Sequence, residues 1–439
     1  MKTVVVFGAG LVSPPLVHYL LDTGFEVVVS DKNMAKAEHL VGGHAHGRVA
    51  ECNLDNEKSV RTLVSQGDVI VSLLPASLHP LVAGACVACG RHMVSTSYVS
   101  PAMRGFDAEA KKKDLLLLNE IGVDPGIDHM SAMRVIHREA TRGGILTGFS
   151  SWCGGLPGPE ADDNPFRYKF SWAPRGVLVA AKNSAKYLRD GAVVELPAAR
   201  LFSNPAMVEI PELGQFEGYP NRDSISYIET YHLGKELQNM FRGTLRYPGH
   251  CRLYRNLIRL GLLDEEKTYD FRGLTYLGLM EQLFGAPVQT TIPAKLGVDE
   301  AASPLRALEY IGLFRETEIQ PRKGALLDVL EERMTAHLQY RPGERDMLIM
   351  RHDLTFSYDK GQRRERITAV LKEFGIPNGD TAMARTVSLP AAIAVRMLLE
   401  GRIAERGVVI PVMSSLYEPI LNELESMHIG FTETRERIS

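Results

Sequence analysis

The residues with the most informative spacing lie near the start of the chain. Gly8 and Gly10 follow a run of strand-forming residues, Thr3–Phe7, and Asp31 ends a second such run. In dinucleotide-binding units, glycines at this spacing admit a pyrophosphate to a helix N-terminus, and an acid about twenty residues further on binds the ribose hydroxyls. The pattern therefore predicts that the chain binds a nicotinamide dinucleotide.

Two positions in this pattern bear on the details of binding. Ser13 stands where the pattern usually has its third glycine, and we expect its hydroxyl to bond a phosphate oxygen or to cap the following helix. Asp31 favours NAD, because a carboxylate accepts hydrogen bonds from both ribose hydroxyls and repels the 2′-phosphate of NADP. Lys32 is the counter-argument, since a cation there could pair with that phosphate. NAD is the expected cofactor and NADP the alternative.

Polar side chains that could do chemistry follow later strands, in segments rich in glycine and proline. Asp124 could neutralise an ammonium group or accept its proton, but an aspartate before proline also commonly makes only loop-stabilising hydrogen bonds. Lys169 could bind a carboxylate or aid proton transfer, and its alternative is a solvated loop lysine. The segments are Ser95–Pro101, Asn119–His129, Ser151–Pro157 and Asn164–Trp172.

The elements that must position these residues alternate between apolar strands and short helices through the first part of the chain. Such alternation indicates a parallel sheet covered on both faces. Leu74 and Pro75 follow one of these strands, where ligands of such sheets bind. The predicted fold class is α/β: a Rossmann-type doubly wound parallel sheet with a second, mixed-sheet α+β substrate domain and a helical insertion.

The predicted domain organisation is discontinuous. We expect a dinucleotide-binding domain at 1–128 plus about 385–439, a substrate domain at 129–231 plus about 300–384, and a helical subdomain at about 232–299. We predict that the C-terminal part of the chain packs back on the first domain, because Leu389–Leu399 is apolar at helical spacing.

Composition excludes several classes of protein. A net charge of -3 over 439 residues offers no basic face for nucleic acid. The five cysteines form no paired metal pattern, and no metal is expected. Met1 and Lys2 lead directly into the first strand, which leaves no room for a signal peptide, and no apolar run reaches membrane-spanning length. We expect a cytoplasmic protein with no membrane partner; the sequence is compatible with a homodimer but does not fix the oligomeric state.

Five multi-residue runs, in one order over nearly the whole chain, resemble the saccharopine dehydrogenase family that forms L-glutamate, also called saccharopine reductase. At the end of the second strand, the fungal members of this family resemble NADP-binding proteins. This chain has Asp31 there, and in this it resembles the members that use NAD. The runs are Asp124–His129, Cys153–Pro157, Tyr168–Trp172, Gly218–Ser224 and Arg242–Gly249.

The resemblance implies a reversible reaction in lysine metabolism. Hydride leaves the lysine-side ε-carbon of saccharopine for the nicotinamide, and water opens the resulting imine to glutamate and 2-aminoadipate 6-semialdehyde. Saccharopine carries three carboxylates, which call for guanidinium forks, and Arg222 and Arg246 are the expected forks. Sequence places no cation beside Cys153 that would lower its pKa.

The site residues that the resemblance implies fall into three groups. The catalytic candidates are Asp124, Cys153, Tyr98 and Lys169. The substrate-binding candidates are Ser97, Tyr98, Asp124, Arg222, Thr244, Leu245 and Arg246. The cofactor-binding candidates are Gly8, Gly10, Leu11, Val12, Asp31, Lys32, Leu74, Pro75, Ser97 and Val123.

Two other functions remain open at this point. A carboxynorspermidine-type reductase of the same superfamily would share the glycine turn but lack the second arginine fork. A non-catalytic NAD(P)-binding regulator would keep Asp31 but have no need of two arginines and the Asp124 loop. The sequence leaves open the physiological direction and the identity of the general base.

Overall fold

The computed structural model describes residues 1–320 and 322–438, which divide into two compact units. Unit 1 comprises Met1–Ile145 and Leu371–Thr432, and unit 2 comprises Leu146–Val370 and the segment from Glu433 onward. The chain therefore leaves unit 1, builds most of unit 2 and then returns to unit 1.

Strands and helices alternate through much of the chain. The strands are β1 (Thr3–Phe7), β2 (Glu26–Ser30), β3 (Gly47–Val49), β4 (Val69–Ser72), β5 (His92–Ser95), β6 (Leu116–Leu118), β7 (Ile145–Pro157), β8 (Ala185–Arg189), β9 (Ala192–Leu196), β10 (Ala206–Ile210), β11 (Gly214–Pro220), β12 (Asn239–Arg246), β13 (Tyr269–Asp270), β14 (Lys323–Gly324), β15 (Asp346–Tyr358), β16 (Arg363–Phe374), β17 (Gly407–Val409) and β18 (Phe431–Ile438). The helices are α1 (Pro14–Asp22), α2 (Met34–Val41), α3 (Glu57–Val64), α4 (His79–Cys89), α5 (Pro101–Arg104), α6 (Asp107–Lys112), α7 (Ile127–Thr141), α8 (Pro174–Ala180), α9 (Ser226–Thr230), α10 (His250–Arg259), α11 (Tyr276–Phe284), α12 (Val288–Leu296), α13 (Val298–Tyr310), α14 (Leu326–His337), α15 (Ala382–Leu399) and α16 (Ser414–Ser426).

Unit 1 is built on a parallel sheet of strand order β17-β6-β5-β4-β1-β2-β3. Its central strands β1 and β4 are buried along their whole length and apolar except for Thr3 and Ser72, as expected when helices cover both faces. The strand order reverses between β1 and β4, which is the switch point where such sheets bind ligands. The predicted Rossmann-type sheet is confirmed.

The apolar segment that predicted a return of the chain forms α15. The expectation that no apolar run reaches membrane-spanning length was wrong for this segment: Ala382–Leu399 is long and apolar enough by length and composition alone, but 78% of it is buried in the structure. The helix packs along α1, and its Ala391, Ile393 and Ala394 are fully buried. These contacts are typical of a core helix of a globular unit.

Unit 2 is built on a mixed sheet of order β10-β11-β12-β7-β15-β16-β18, with β8 and β9 branching from β12. Strand β12 runs parallel to β7 and antiparallel to β11. Helix α8 and the helices from α10 to α14 share one hydrophobic core, to which Phe166, Leu257, Leu279 and Leu327 contribute. The second, mixed-sheet domain predicted from the sequence is confirmed.

The two compact units divide at different residues from the predicted domains. Unit 1 extends to Ile145 rather than 128 because α7 packs on α16, where His137 pairs with the Tyr417 hydroxyl at 2.8 Å. It resumes at Leu371 rather than about 385, and Arg385 bonds Glu373 at 2.7 Å.

The last strand and the helical segment also differ from prediction. Strand β18 joins the sheet of unit 2, where Arg435 bonds Glu365 at 2.5 Å. The segment 232–299 is not a separate subdomain, because its helices bury their apolar faces in the core of unit 2.

Glycines in the mixed sheet make room for one large ring. The Trp152 indole of β7 lies over Gly243 on the adjacent strand β12 and over Gly218 on β11, the next strand of the sheet. A Cβ atom at either glycine would lie 2.4 Å from the Cζ3 atom of Trp152. Trp152 also packs on Phe241, with ring centroids 4.6 Å apart. This explains why glycine recurs in two of the five sequence runs.

We expect Gly243→Ala to lower the free energy of unfolding by about 1–3 kcal/mol, because the added methyl group overpacks the Trp152 ring. Gly84→Ala is the matched control: its Cβ would lie 3.6 Å from Phe106 in a helix, and we expect a gain of up to about 1 kcal/mol. Urea unfolding of both variants measures the difference. Equal stability of Gly243→Ala and the parent chain would contradict this packing.

Candidate active site

The glycine turn of unit 1 leaves β1 at the switch point of the sheet. Gly8 has a φ of +108°, and a Cβ atom there would lie 3.1 Å from the Leu73 carbonyl oxygen at the end of β4. Gly8 therefore permits both the turn and the close approach of two strand ends. At Gly10, by contrast, no described atom lies within 4 Å of the position of a Cβ atom. The outer side of the turn thus has room for a pyrophosphate at the start of α1.

Asp31 is held in place beside this turn by two backbone amides. Its Oδ2 accepts a hydrogen bond from the Ala9 N–H at 2.8 Å, and its Oδ1 accepts one from the Asn33 N–H at 2.8 Å. Each carboxylate oxygen keeps a second lone pair, which can accept a ribose hydroxyl. Lys32 is exposed. The residues of unit 1 therefore fit a dinucleotide, with the carboxylate oriented before the ligand binds.

Ser13 does not cap the following helix, which was one of the two roles predicted for it. Its buried hydroxyl donates to the Gly8 carbonyl oxygen at 3.0 Å and makes no capping bond to α1. The side chain therefore fastens the helix to the glycine turn, a function that the third glycine of the usual pattern cannot supply.

The other cofactor candidates lie in the turn or at nearby strand ends. Leu11 is 57% exposed in the turn, Val12 is half-buried, and Leu74 and Pro75 follow β4. Val123 is 6% exposed in the loop after β6.

Tyr98 and Asp124 come together at the same edge of unit 1. The Tyr98 hydroxyl donates to Asp124 Oδ1 at 2.8 Å, and both residues are half-buried. The two loops that carry them are fastened by Glu120, whose N–H donates to the Ser97 carbonyl at 3.1 Å and whose Oε1 accepts the Val99 N–H at 2.9 Å. The phenol and the carboxylate can thus act together on a substrate amine.

A buried network supports the loop that presents Asp124. His129 Nε2 bonds Glu120 Oε2 at 2.8 Å, and Asp128 Oδ1 accepts the Gly126 and His129 N–H groups at 2.6 and 2.8 Å. Gly126 has a φ of +145°, and a Cβ there would lie 2.0 Å from the Gly122 carbonyl oxygen. The glycines and acids of this sequence run therefore shape the loop, and Asp124 lies at its half-buried surface.

Arg246 lies buried in an aromatic enclosure of unit 2. Its side chain contacts the Tyr168 ring at 5.2 Å, and its Nη1 donates to the Leu245 carbonyl at 2.8 Å. Within the described residues its Nε–H has no hydrogen-bond partner, and the guanidinium makes no ion pair. A buried cation with an unpaired donor is costly unless an anion binds it. The arrangement therefore fits a ligand carboxylate.

Three other candidates are brought together with Arg246 by strand pairing. Cys153 on β7 pairs in register with Thr244 on β12, and a Cβ atom at Gly154 would lie 2.7 Å from the Leu245 carbonyl oxygen. Cys153 also lies within electrostatic reach of Arg246. Folding thus supplies the cation that sequence reasoning did not find beside Cys153.

Sequence reasoning missed two residues of this enclosure, His250 and Tyr254 on α10. Their rings stack with centroids 4.2 Å apart, and the His250 Nδ1 and Tyr254 hydroxyl have no hydrogen-bond partner among the described residues. Burial, aided by the charge of Arg246, holds the pKa of His250 well below its ordinary value, so its imidazole is neutral. Their spacing of four on one helix, directly after the Arg246 strand, is the signal that could have found them.

Arg222 is placed differently from Arg246. It is exposed in the turn after β11, with a φ of +53°, and its carbonyl oxygen accepts the Lys186 N–H at 2.9 Å. The two arginines that were predicted as forks are therefore not adjacent. Among the described residues, no group of three His, Cys, Asp or Glu side chains could hold a metal ion.

Lys169, predicted as a catalytic candidate, is buried in ion pairs. Its Nζ lies 2.6 Å from Glu344 Oε2 and 3.0 Å from Asp163 Oδ1. Burial favours the neutral form of Glu344, but hydrogen bonds from Lys169 and Arg341 outweigh it and hold the pKa of Glu344 below its ordinary range. These contacts favour a structural role for Lys169.

We expect Lys169→Met to lower the free energy of unfolding by about 1–3 kcal/mol at pH 7, because it leaves the half-buried Glu344 carboxylate without its buried cation. Because the pKa of Glu344 is lowered in the folded state, this contribution is full above about pH 4.3 and is lost as the pH falls through the lowered value. Urea unfolding at pH values from 7 to 3 should show that the difference in unfolding free energy between the parent chain and Lys169→Met becomes smaller as the pH falls. Lys169→Arg, which keeps the positive charge, is the control. A stability difference between the parent chain and Lys169→Met that does not change with pH would contradict the stabilising ion pair between Lys169 and Glu344.

Two family models match consecutive parts of the chain. The family model described as "Saccharopine dehydrogenase NADP binding domain" matches residues 4–118, and the one described as "Saccharopine dehydrogenase C-terminal domain" matches residues 122–429. The saccharopine dehydrogenase [NADP(+), L-glutamate-forming] of Pyricularia oryzae is 34% identical over 97% of both chains.

Two further relatives extend the comparison. The alpha-aminoadipic semialdehyde synthase of Bos taurus, a mitochondrial protein by its name, is 36% identical over 98% of this chain, which spans 47% of that longer protein. The solved apo structure of the L-Glu-forming saccharopine dehydrogenase from Saccharomyces cerevisiae matches all of both chains with a TM-score of 0.88 at 32% identity. The chain belongs to the saccharopine dehydrogenase family.

Proposed function

We propose that this chain catalyses the reversible, nicotinamide-dependent oxidation of saccharopine to L-glutamate and 2-aminoadipate 6-semialdehyde. The observation that carries the proposal is the Arg246 guanidinium, buried among aromatic rings with a donor unpaired within the described residues. Such a group fits a substrate with several carboxylates. Family membership and the names of the relatives from Pyricularia oryzae and Saccharomyces cerevisiae support the same reaction.

The reaction breaks the C–H bond of the carbon that joins the lysine side to the bridging nitrogen. The bound dinucleotide supplies the hydride acceptor. The secondary ammonium of saccharopine must first lose a proton, so that the nitrogen lone pair can form the C=N bond as hydride leaves. Water then adds to the imine carbon, and cleavage of the C–N bond releases the amine of glutamate and the aldehyde.

Asp124 is the proposed partner of the substrate nitrogen. The hydrogen bond from the Tyr98 hydroxyl to Asp124 Oδ1 stabilises the ionised carboxylate, which attracts an ammonium group and can accept its proton. Tyr98 in turn is placed to take part in proton transfer through the same bond. Glu120 and Asp128, by contrast, bind backbone amides and serve the loop.

Arg246 and Arg222 are proposed to bind carboxylates at separate parts of the substrate. On the paired strands β11 and β12, Arg246 lies opposite Glu217. Pro220, the last residue of β11, is three residues beyond Glu217, and Arg222 follows Pro220. Arg222 is therefore at least three residues away from Arg246 along the strand direction. At about 3.3 Å per residue this is roughly 10 Å or more, a separation that suits a long tricarboxylate. Thr244, Leu245 and Cys153 are proposed to line the substrate beside Arg246.

NAD is the proposed cofactor, on the basis of Asp31. The two amide hydrogen bonds fix its carboxylate at the end of β2, where a 2′-phosphate would be repelled. The fungal relatives are named for NADP(+), and NADP is allowed as the alternative. Cytoplasmic location and homodimer formation remain predictions from the sequence.

Saccharopine and NAD incubated with the purified protein should yield glutamate and NADH, measured by amino-acid analysis and absorbance. NAD should be reduced far faster than NADP, because the carboxylate of Asp31 repels the extra phosphate. Asp31→Ser should narrow that preference, with Lys32→Ala as the neighbouring control. Lysine as the product would contradict the proposal, and cofactor binding without turnover would favour a regulator.

Arg246→Lys and Arg222→Ala should each raise the saccharopine KM by on the order of ten-fold or more, because each loses a charge-assisted fork to a carboxylate. Arg272→Ala, at a side chain that is 72% exposed and paired with Asp270, is the matched control and should leave KM unchanged. Steady-state kinetics at saturating NAD measures all three. A normal KM in Arg246→Lys would remove that residue from the substrate site.

A further inference from the structure

A buried histidine in unit 1 bridges two serine hydroxyls. His79 is 2% exposed; its Nδ1 lies 2.9 Å from Ser72 Oγ, and its Nε2 lies 2.8 Å from Ser97 Oγ. Ser72 is the fully buried last residue of β4, and Ser97 is half-buried just beyond β5. The imidazole therefore connects the interior of the sheet with the edge where the proposed cofactor and substrate residues lie.

The surroundings of His79 keep its ring neutral. It is the first residue of α4, where the positive end of the helix dipole disfavours a second positive charge. Both of its ring partners are hydroxyls rather than carboxylates, and burial lowers the pKa of His79 to about 4. At neutral pH the ring thus offers one N–H donor and one acceptor nitrogen.

Counting donors fixes the direction of these hydrogen bonds. The Ser72 hydroxyl makes no other hydrogen bond in the part of the chain that the structure describes, so its buried proton is satisfied only by donation to Nδ1. The single imidazole proton then lies on Nε2 and is donated to Ser97 Oγ. The Ser97 hydroxyl proton is left over, and it can be donated to a ligand oxygen.

We propose that His79, in its Nε2–H tautomer, is a positioning residue that orients the Ser97 hydroxyl as a hydrogen-bond donor to an acceptor oxygen of the bound ligand. The inference rests on the proposed function for the presence of a ligand at Ser97. The acceptor is an oxygen of the cofactor, on its nicotinamide side, or a carboxylate of the substrate. A serine without this partner could rotate and present a lone pair instead, which would not bind either oxygen.

The tautomer can be tested without any catalytic assay. In protein labelled with ¹⁵N-histidine, two-bond ¹H–¹⁵N spectra at pH 7 distinguish a protonated ring nitrogen from an unprotonated one. The signals that disappear in His79→Asn belong to His79. We expect a protonated Nε2 and an unprotonated Nδ1. A protonated Nδ1, or a ring with both nitrogens protonated, would overturn the proposal.

Binding measurements then test the role. A glutamine amide can reach the position of Nε2, whereas an asparagine amide reaches only that of Nδ1. His79→Asn and Ser97→Ala should therefore weaken binding equally, by about three- to ten-fold, with His79→Gln closer to the parent chain. The double variant should be no weaker than Ser97→Ala alone. A change in the NADH dissociation constant would assign the acceptor to the cofactor, and a change only in the saccharopine KM would assign it to the substrate.

His92 provides the matched control for a merely structural effect. Its Nδ1 accepts the Leu116 N–H at 2.9 Å at the opposite end of β5. His92→Ala removes that acceptor, so it should lower thermal stability without changing either binding constant. Normal binding by His79→Asn beside impaired Ser97→Ala, or equal impairment by His92→Ala, would overturn the proposal. If the parent chain does not form glutamate, the proposed function fails, but the tautomer and the NADH arm still decide the role of His79.

Discussion

All strands of the unit 1 sheet run in one direction, and this constraint gathers at one edge every loop that follows a strand. The loops carry Gly8, Asp31, Ser97 and Asp124, although the four are far apart in sequence. Backbone amides that leave the sheet at this edge need acceptors, and nearby carboxylates provide them. Asp31 accepts from Ala9 and Asn33, and Glu120 from Val99. The acids of this edge thus shape the loops before any of them acts on a ligand.

Two of the buried cations of unit 2, Lys169 and Arg246, have opposite surroundings. Lys169 is surrounded by the carboxylates of Glu344 and Asp163, so its charge is compensated by the protein. Arg246 has only the Leu245 carbonyl and aromatic rings as partners in the described residues. Removing such a charge from water costs several kcal/mol, and a protein that retains it gains only when an anion arrives. This contrast is the reason for assigning Lys169 a structural role and for proposing Arg246 as the anion-binding cation, where sequence alone treated both as candidates.

The sequence predicted the parallel sheet, the mixed second sheet and the cofactor turn because each depends on local patterns: strand-forming runs, glycine spacing and an acid at a fixed distance. It could not predict that Ser13 bonds the Gly8 carbonyl, since that contact depends on the path of the turn. The sequence also could not predict the ion pair between Lys169 and Glu344, because the two residues are far apart in the chain. His79 was missed because a single histidine at the start of an apolar helix has no motif, and its two serines meet it only after folding.

The division of unit 1 into two segments has consequences for how the protein is made. Strand β17, which pairs with β6, and the core helix α15 both come from the C-terminal part of the chain. A ribosome that has synthesised only the first 145 residues has therefore produced a sheet that lacks an edge strand and a hydrophobic face that lacks its covering helix. The cofactor-binding unit can be completed only late in translation, after unit 2 has emerged. A cut at any single point cannot separate the two units into independent, intact halves.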